Sequence, residues 1–145
     1  MKKIVPEMLD ELTELFIDTF NAPPWNDLWT TEQARARLWD IMRMPNFRGG
    51  AEYRDGRLVG LLMGHGEQSY DGMHFQILEF CVANDMKGHG IGSQMIKEFT
   101  EYLDRKGVTS VYLLTMSGAA SEVFYEAQGF RTVEDMCIMS RRRPE

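Results

Sequence analysis

The stretch Val82-Ala83-Asn84-Asp85-Met86-Lys87-Gly88-His89-Gly90-Ile91-Gly92-Ser93 constrains this chain more than any other. An apolar run ends in it, three glycines stand at alternate positions, and an amphipathic pattern follows at once. Glycines remove the side chains that would block close approach, so consecutive backbone N–H groups can point at one ligand, and the positive end of a following helix adds to the field. Strand, glycine turn and helix in that order make an anion cradle, whose natural guest is a phosphate or pyrophosphate. Taken alone, the same glycines also suit a connector with no ligand.

The 145 residues fit one domain, spanning 1–145. A hydrophobic content of 43% beside 26% charged residues is ordinary for a soluble globular protein. No apolar run approaches the ~20 residues of a membrane span, and Lys2-Lys3 gives way to acidic sequence instead of an apolar leader, so a cytoplasmic protein is expected. A net charge of -6 makes nucleic acid and anionic membranes poor partners, and Arg141-Arg142-Arg143 reads as a solvated tail. Cys81 and Cys137 lie in apolar, strand-like segments without zinc-site spacing. Both are expected to be buried free thiols, and no metal site is expected.

Pro6 to Phe20 lines up Leu9, Leu12, Phe16 and Phe20 on one helical face. The paired prolines of Asn21-Ala22-Pro23-Pro24-Trp25-Asn26-Asp27 make an ordered loop, and Thr30 with Gln33 forms a capping box for a second helix that ends before Pro45. Gly49 to Tyr53 and Leu58 to Met63 read as a hairpin around Asp55-Gly56. Gly64 to Gly72 reads as a loop, and Met73 to Ala83 as a central strand. After the glycine turn comes a helix that Gly107 ends, then the strand Val108 to Thr115. Strand, helix and strand at this length imply a parallel crossover. A short helix runs to Gly129, and Phe130 to Met139 is expected to close the chain as one or two strands.

Two segments carry a family resemblance. Lys87-Gly88-His89-Gly90-Ile91-Gly92 matches an (Arg/Gln)-x-x-Gly-x-(Gly/Ala) loop, and Phe124-Tyr125-Glu126-Ala127-Gln128-Gly129-Phe130 matches a Phe-Tyr-x-x-x-Gly-Phe segment. Together, in this order and at this separation, they resemble the GNAT superfamily of acetyl-CoA-dependent N-acyltransferases. The resemblance implies an α/β single domain of the GNAT fold, a mixed central sheet flanked by helices. Lys87 departs from the pattern by replacing Arg or Gln, which keeps a cation but loses the guanidinium fork. Gly118 stands where many members have Asn. Competing phosphate motifs fit worse: a P-loop lacks its Gly-Lys-Ser/Thr at Gly92-Ser93-Gln94, and a Rossmann fingerprint lacks an acid near Leu113-Leu114-Thr115.

By that resemblance the main chain of Gly88, His89, Gly90, Ile91, Gly92 and Ser93, with Lys87, binds the pyrophosphate of acetyl-CoA as cosubstrate, and Phe80 and Val82 supply backbone groups to its arm. Tyr125 would protonate the departing thiolate, since a phenol remains protonated at neutral pH; its alternative is a packing tyrosine. The acceptor amine must lose a proton, and Glu79 is the candidate base, partial burial raising a carboxylate toward a working pKa; it is equally readable as a structural carboxylate. His74 or a water chain could replace it. Trp25, Trp29 and Tyr70 offer aromatic surface to an acceptor, with Asp27, Glu67 and Asp71 as anionic contacts, or the tryptophans seal the core. The expected activity is N-acetylation of a primary amine on a small molecule, in a monomer or homodimer. The alternatives are acetylation of a peptide or protein amino terminus, and a non-catalytic acyl-CoA-binding regulatory module.

Overall fold

Thr30 and Gln33 start the second helix as their spacing predicts. The Thr30 hydroxyl accepts from the Gln33 amide at 3.1 Å, and the Gln33 side chain accepts from the Thr30 amide at 3.1 Å. In the computed structural model, which describes residues 1–145, this helix is α2 (Thr31–Met42), and α1 (Leu9–Phe20) precedes it behind a 3-10 turn at Pro6–Met8. Leu9, Leu12, Leu15 and Phe16 of α1 and Ala34, Leu38 and Ile41 of α2 are buried, so each helix turns its apolar stripe inward. The chain forms two compact units, Met1–Leu114 and Thr115–Glu145.

The first unit is built on a five-stranded sheet in the order β1 (Lys2–Lys3), β2 (Phe47–Arg54), β3 (Arg57–Ser69), β4 (Gly72–Val82) and β5 (Val108–Leu113). Neighbours are antiparallel except β4 and β5, which run parallel and are joined through α3 (Ile91–Arg105). The β2–β3 turn is Asp55-Gly56, both left-handed at φ 51° and 77°, and Gly107, at φ 82°, follows the last turn of α3. Lys2–Lys3 pairs with Ala51 and Gly50; two lysines carry no strand signal, and this strand was not expected.

Residues 64–72 correct the expectation of a loop there. The strand β3 runs through them to Ser69, and Tyr70-Asp71 alone make the turn before Gly72. Gly64 and Gly66 serve close packing instead of a turn: a Cβ on Gly64 would lie 2.1 Å from the Gln76 carbonyl oxygen and one on Gly66 would lie 2.7 Å from Met73 Sδ. Opposite Gly64 the register slips, because Met63 pairs with Glu79 but Gly64 pairs with Ile77, which leaves Leu78 as the extra residue of a β-bulge.

The bulge changes which face the following side chains occupy. Before it, Phe75 stacks on Phe99 of α3 at 5.5 Å between ring centres. Strict alternation would carry Ile77, Glu79 and Cys81 to that same face. After it, Val82 pairs with Gly60, whose Cβ would meet Met95 of α3, so the α3 face belongs to Val82 and Phe80. Glu79 and Cys81 therefore face α1 and α2.

In the second unit α4 (Ala120–Ala127) ends in a Schellman motif. The Phe130 amide donates to the Tyr125 carbonyl at 3.0 Å, the Gly129 amide donates to that of Glu126 at 3.1 Å, and Gly129 is left-handed at φ 92°. Residues 130–145 contain no strand, contrary to expectation, and Cys137 is exposed where a buried thiol was expected. Both corrections have one cause: an apolar pattern makes a strand only where a ladder partner takes up its main-chain groups.

Replacing Gly64 by Ala is expected to cost about 1–3 kcal/mol, because backbone and not a flexible side chain occupies the space. Urea denaturation reads this as a lower midpoint. An unchanged midpoint would mean that β3 and β4 separate there freely.

Candidate active site

The glycine cradle begins where β4 leaves the sheet. Ala83 donates to the Val59 carbonyl at 2.8 Å, a 3-10 turn covers Asn84–Met86, and Lys87 is extended. Gly88 and Gly90 are left-handed at φ 82° and 78°, and a Cβ built on either meets nothing within 4 Å. The demand for glycine is thus conformational, and the space above the loop is open. His89 turns back on the loop, its Nδ1 3.0 Å from the Met86 carbonyl. Gly90 is the N-cap of α3 and provides no side-chain cap, while Ile91 is buried and can offer only its amide. Lys87, Gly88, His89, Gly90 and Ser93 are exposed, and Gly92 is half-buried. Arg57, 2.7 Å from Asp85, holds that neighbouring carboxyl below its usual range by hydrogen bonding, so the one acid of the loop is already paired.

Below the cradle, β5 pairs with β4 only as far as Leu113 opposite Ile77, whereas β4 continues to Val82. Glu79, Phe80 and Val82 all lie in that continuation, with Phe80 and Val82 half-buried. Glu79 reaches the opposite face from Phe80 and meets Arg37 of α2, whose Nε donates to Glu79 Oε1 at 3.1 Å. Arg37 flanks the buried stripe Ala34, Leu38, Ile41, which lets its stem follow the helix while its head reaches the strand. Burial raises the Glu79 pKa above the ordinary carboxylate value, Arg37 opposes that rise, and Asp27 adds to it. Arg37 was not found from the sequence; its only signal is the helical spacing that puts it beside the stripe.

The loop between α1 and α2 is fixed by Asn21, whose side-chain amide donates to the Trp29 carbonyl and whose oxygen accepts from the Trp29 amide, both at 2.9 Å. Trp29 packs edge-on against Phe16 at 5.0 Å, and its indole N–H donates to Asp27 at 3.2 Å. Trp25 lies against Phe20 at 5.8 Å and is 37% exposed. Trp29 is therefore a packing residue that also orients Asp27, and Trp25 carries the open aromatic surface of this loop. Tyr70 does not join them. It stands 99% exposed at the β3–β4 hairpin tip, the end of the sheet remote from Glu79.

His74 lies near that same tip and is paired with Asp71 at 2.7 Å. Burial pushes the Cys81 thiol up to about 12, so it is not a thiolate at neutral pH. On the sheet face shared with Glu79, Tyr112 donates to Glu67 at 2.6 Å, and burial, then Glu67, push the phenol up to about 12. In the second unit Tyr125 is half-buried, its ring 5.2 Å from Phe124 and 5.5 Å from Phe130. Glu122 there accepts from the Gly118 amide at 2.9 Å, a contact made by the residue that replaces the usual Asn.

The model of the acetyltransferase (GNAT) family matches residues 9–130. Among solved structures, a probable acetyltransferase has a TM-score of 0.80 at 16% identity, with 99% of this chain and 97% of that one covered. The aminoglycoside acetyltransferase AAC(6')-Iy, in complex with the bisubstrate analogue CoA-S-monomethyl-acetylneamine, gives 0.76 at 16% over 99% and 97%. The aminoglycoside acetyltransferase meta-AAC0020 from an uncultured soil metagenomic sample, in complex with sisomicin, gives 0.72 at 15% over 99% and 95%. No curated protein matches the chain in sequence. With its mixed sheet, its glycine turn ahead of α3 and a family match over most of its length, the chain belongs to the acetyltransferase (GNAT) family and is an acyltransferase.

Proposed function

We propose that residues 1–145 act as one N-acetyltransferase domain that moves an acetyl group from acetyl-CoA directly to a primary amine of a small molecule. The observation that carries the reading is the end of β4. Beyond the last β5 pair it presents Phe80 and Val82 on the α3 face and Glu79 on the opposite one, directly ahead of the glycine turn. A cofactor with a pyrophosphate and an extended arm fits such a place. The loop offers left-handed glycines under open space, an uncapped helix start and a lysine. Acetyl-CoA, when bound, supplies the acyl group as a thioester with a thiol as leaving group.

The chain's residues then divide the work. The main chain of Gly88, His89, Gly90, Ile91, Gly92 and Ser93, with Lys87, binds the pyrophosphate, and the main chain of Phe80 and Val82 orients the arm. Glu79 takes a proton from the acceptor ammonium. An alkylamine near pKa ~10.4 is about one part in a thousand free base near pH 7.4, a deficit of roughly 4 kcal/mol, so a proton acceptor at the site matters. The Tyr125 hydroxyl donates a proton to the leaving thiolate, a role assigned through the Phe124 to Phe130 motif. Asp27 and Trp25, on the loop beside Glu79, favour a cationic acceptor, whereas Glu67, opposite His74, lies toward the remote hairpin tip. Support for a small molecule comes from the two aminoglycoside acetyltransferases of like fold, one bound to sisomicin and one to a CoA–acetylneamine conjugate. Cys81 takes no part, being a buried neutral thiol.

Acetyl-CoA is expected to raise the melting temperature of the wild-type protein and of Tyr125→Phe alike, while thiol release by the variant falls at least about a hundredfold. Equal rates would remove Tyr125 from the mechanism, and the absence of any thermal shift would remove the cofactor. Glu79→Gln is expected to lower turnover and yet to gain stability relative to wild type as pH rises. The sign follows from its raised folded pKa: the fold holds the Glu79 proton more tightly than the unfolded chain does, so its contribution is full below the unfolded value and is lost as pH climbs through the folded one. Urea unfolding of both proteins between pH 4 and 9 checks it, a constant difference across the range being the contrary result.

A further inference from the structure

Two ion pairs of the first unit join an exposed arginine to a largely buried carboxylate, Arg54 with Glu52 on β2 and Arg37 with Glu79, and of the two only Glu79 stands on β4, three residues before its end. The carboxylate is only 14% exposed, whereas the guanidinium is 39% exposed, so the arginine keeps part of its hydration while engaging an acid that has lost most of its own. The contact bridges α2 and β4 across 42 residues of chain, and it uses Nε on the single oxygen Oε1, which leaves Oε2 outside the ion pair. Arg37 is the cation that acts on Glu79, while His65, two residues beyond Met63 on β3, lies 3.5 Å from Glu67, and Lys87 acts on Cys81. The loop before α2 contributes Asp27, the same face of β4 contributes Cys81 as a neutral thiol, and β3 contributes Met63.

A buried base meets two opposed demands. Desolvation favours the protonated acid, but only the carboxylate can accept a proton from an ammonium ion. Asp27 makes the conflict worse by adding a second negative charge. A cation fixed on one oxygen answers both demands, because it stabilises the charged form and holds the plane of the carboxylate while the second oxygen stays outside the pair. We propose that Arg37 is a positioning residue for acyl transfer, fixing the Glu79 carboxylate through Oε1 and keeping it in the ionised form that takes the acceptor's proton. This rests on the reading of Glu79 as the base. It also explains how Asp27 can stand near that base: with Arg37 present the three groups carry one net negative charge, which attracts a cationic acceptor without forcing Glu79 to protonate.

The test measures Glu79 directly as well as through turnover. The full chain, labelled with carboxyl-13C glutamate, is titrated by NMR, and the Glu79 resonance is assigned by its disappearance in Glu79→Gln. In Arg37→Gln its midpoint is expected about one pH unit higher than in wild type, a roughly tenfold gain in proton affinity. In Arg37→Lys, which keeps the charge, it is expected to return most of the way. With acetyl-CoA and neamine as probes, the acid limb of kcat/KM is expected to move up with the titration in Arg37→Gln. The KM for neamine above that limb is expected not to rise, since the site has become more negative. An unmoved midpoint in Arg37→Gln overturns the proposal, as does a midpoint in Arg37→Lys that stays with Arg37→Gln. A limb that survives in Glu79→Gln instead overturns the assignment of the base, a failure the NMR midpoints keep distinct because they need no turnover.

Discussion

Gly64 and the Gln76 carbonyl oxygen approach so closely that no side chain fits between β3 and β4, and the arrangement of the site depends on that approach. It permits Leu78 to be inserted without a partner, and the insertion reverses the facing of every residue after it. Without it Glu79 would lie with Phe75 and Ile77 against α3. A carboxylate there would be out of reach of Arg37 on α2, and the cost of desolvating it would fall on the fold. With it, Glu79 meets Arg37 while Phe80 and Val82 take the α3 side. One strand thereby presents a paired carboxylate on one face and apolar side chains on the other within four residues.

The two family segments are also structural terminators, which clarifies why their residue types recur. In the first, Gly88 and Gly90 are left-handed, so the chain can turn from strand to helix there. In the second, Gly129 closes a Schellman motif whose customary apolar contact is the pair Phe130 and Tyr125, 5.5 Å apart. Tyr125 is therefore anchored by the end of its own helix, through its carbonyl and its ring together. A phenol assigned to donate a proton benefits from such an anchor, because rotamer freedom at that position would spread its hydroxyl over several places.

What could be read from the sequence was what neighbouring residues decide among themselves. The Thr30–Gln33 box, the Asp55-Gly56 turn, the stop at Gly107 and the order of strand, glycine turn and helix at 82–93 each depend on residues within a few positions, and all four appear in the structure as expected. The bulge leaves only a faint trace, the polar positions His74 and Gln76 standing two apart and Glu79 three further on, and one change of spacing in a largely apolar run does not specify an inserted residue. The stretch 64–72 misled because glycine signals both turns and close packing, and only the opposite strand separates the two. Arg37 went unseen because its partner is remote in sequence. Phe130 to Met139 has the apolar content of a strand but no local means of specifying a partner, and Tyr70, grouped with the tryptophans through a supposed loop, moved to a hairpin tip when that loop became strand.

The charge arrangement follows from the same geometry. An acceptor that arrives as an ammonium ion is drawn by negative charge, yet a base surrounded by negative charge protonates before the acceptor reaches it. The fold separates these effects by distance and exposure. Asp27 is exposed and tied to Trp29, so it can attract a cation at little desolvation cost. Glu79, the buried member, carries the direct guanidinium contact. In the proposed mechanism the exposed acid recruits and the paired, largely buried acid reacts, so the order in which charges meet the substrate follows their depth, and the depth of Glu79 follows from the face of β4 that the bulge gives it.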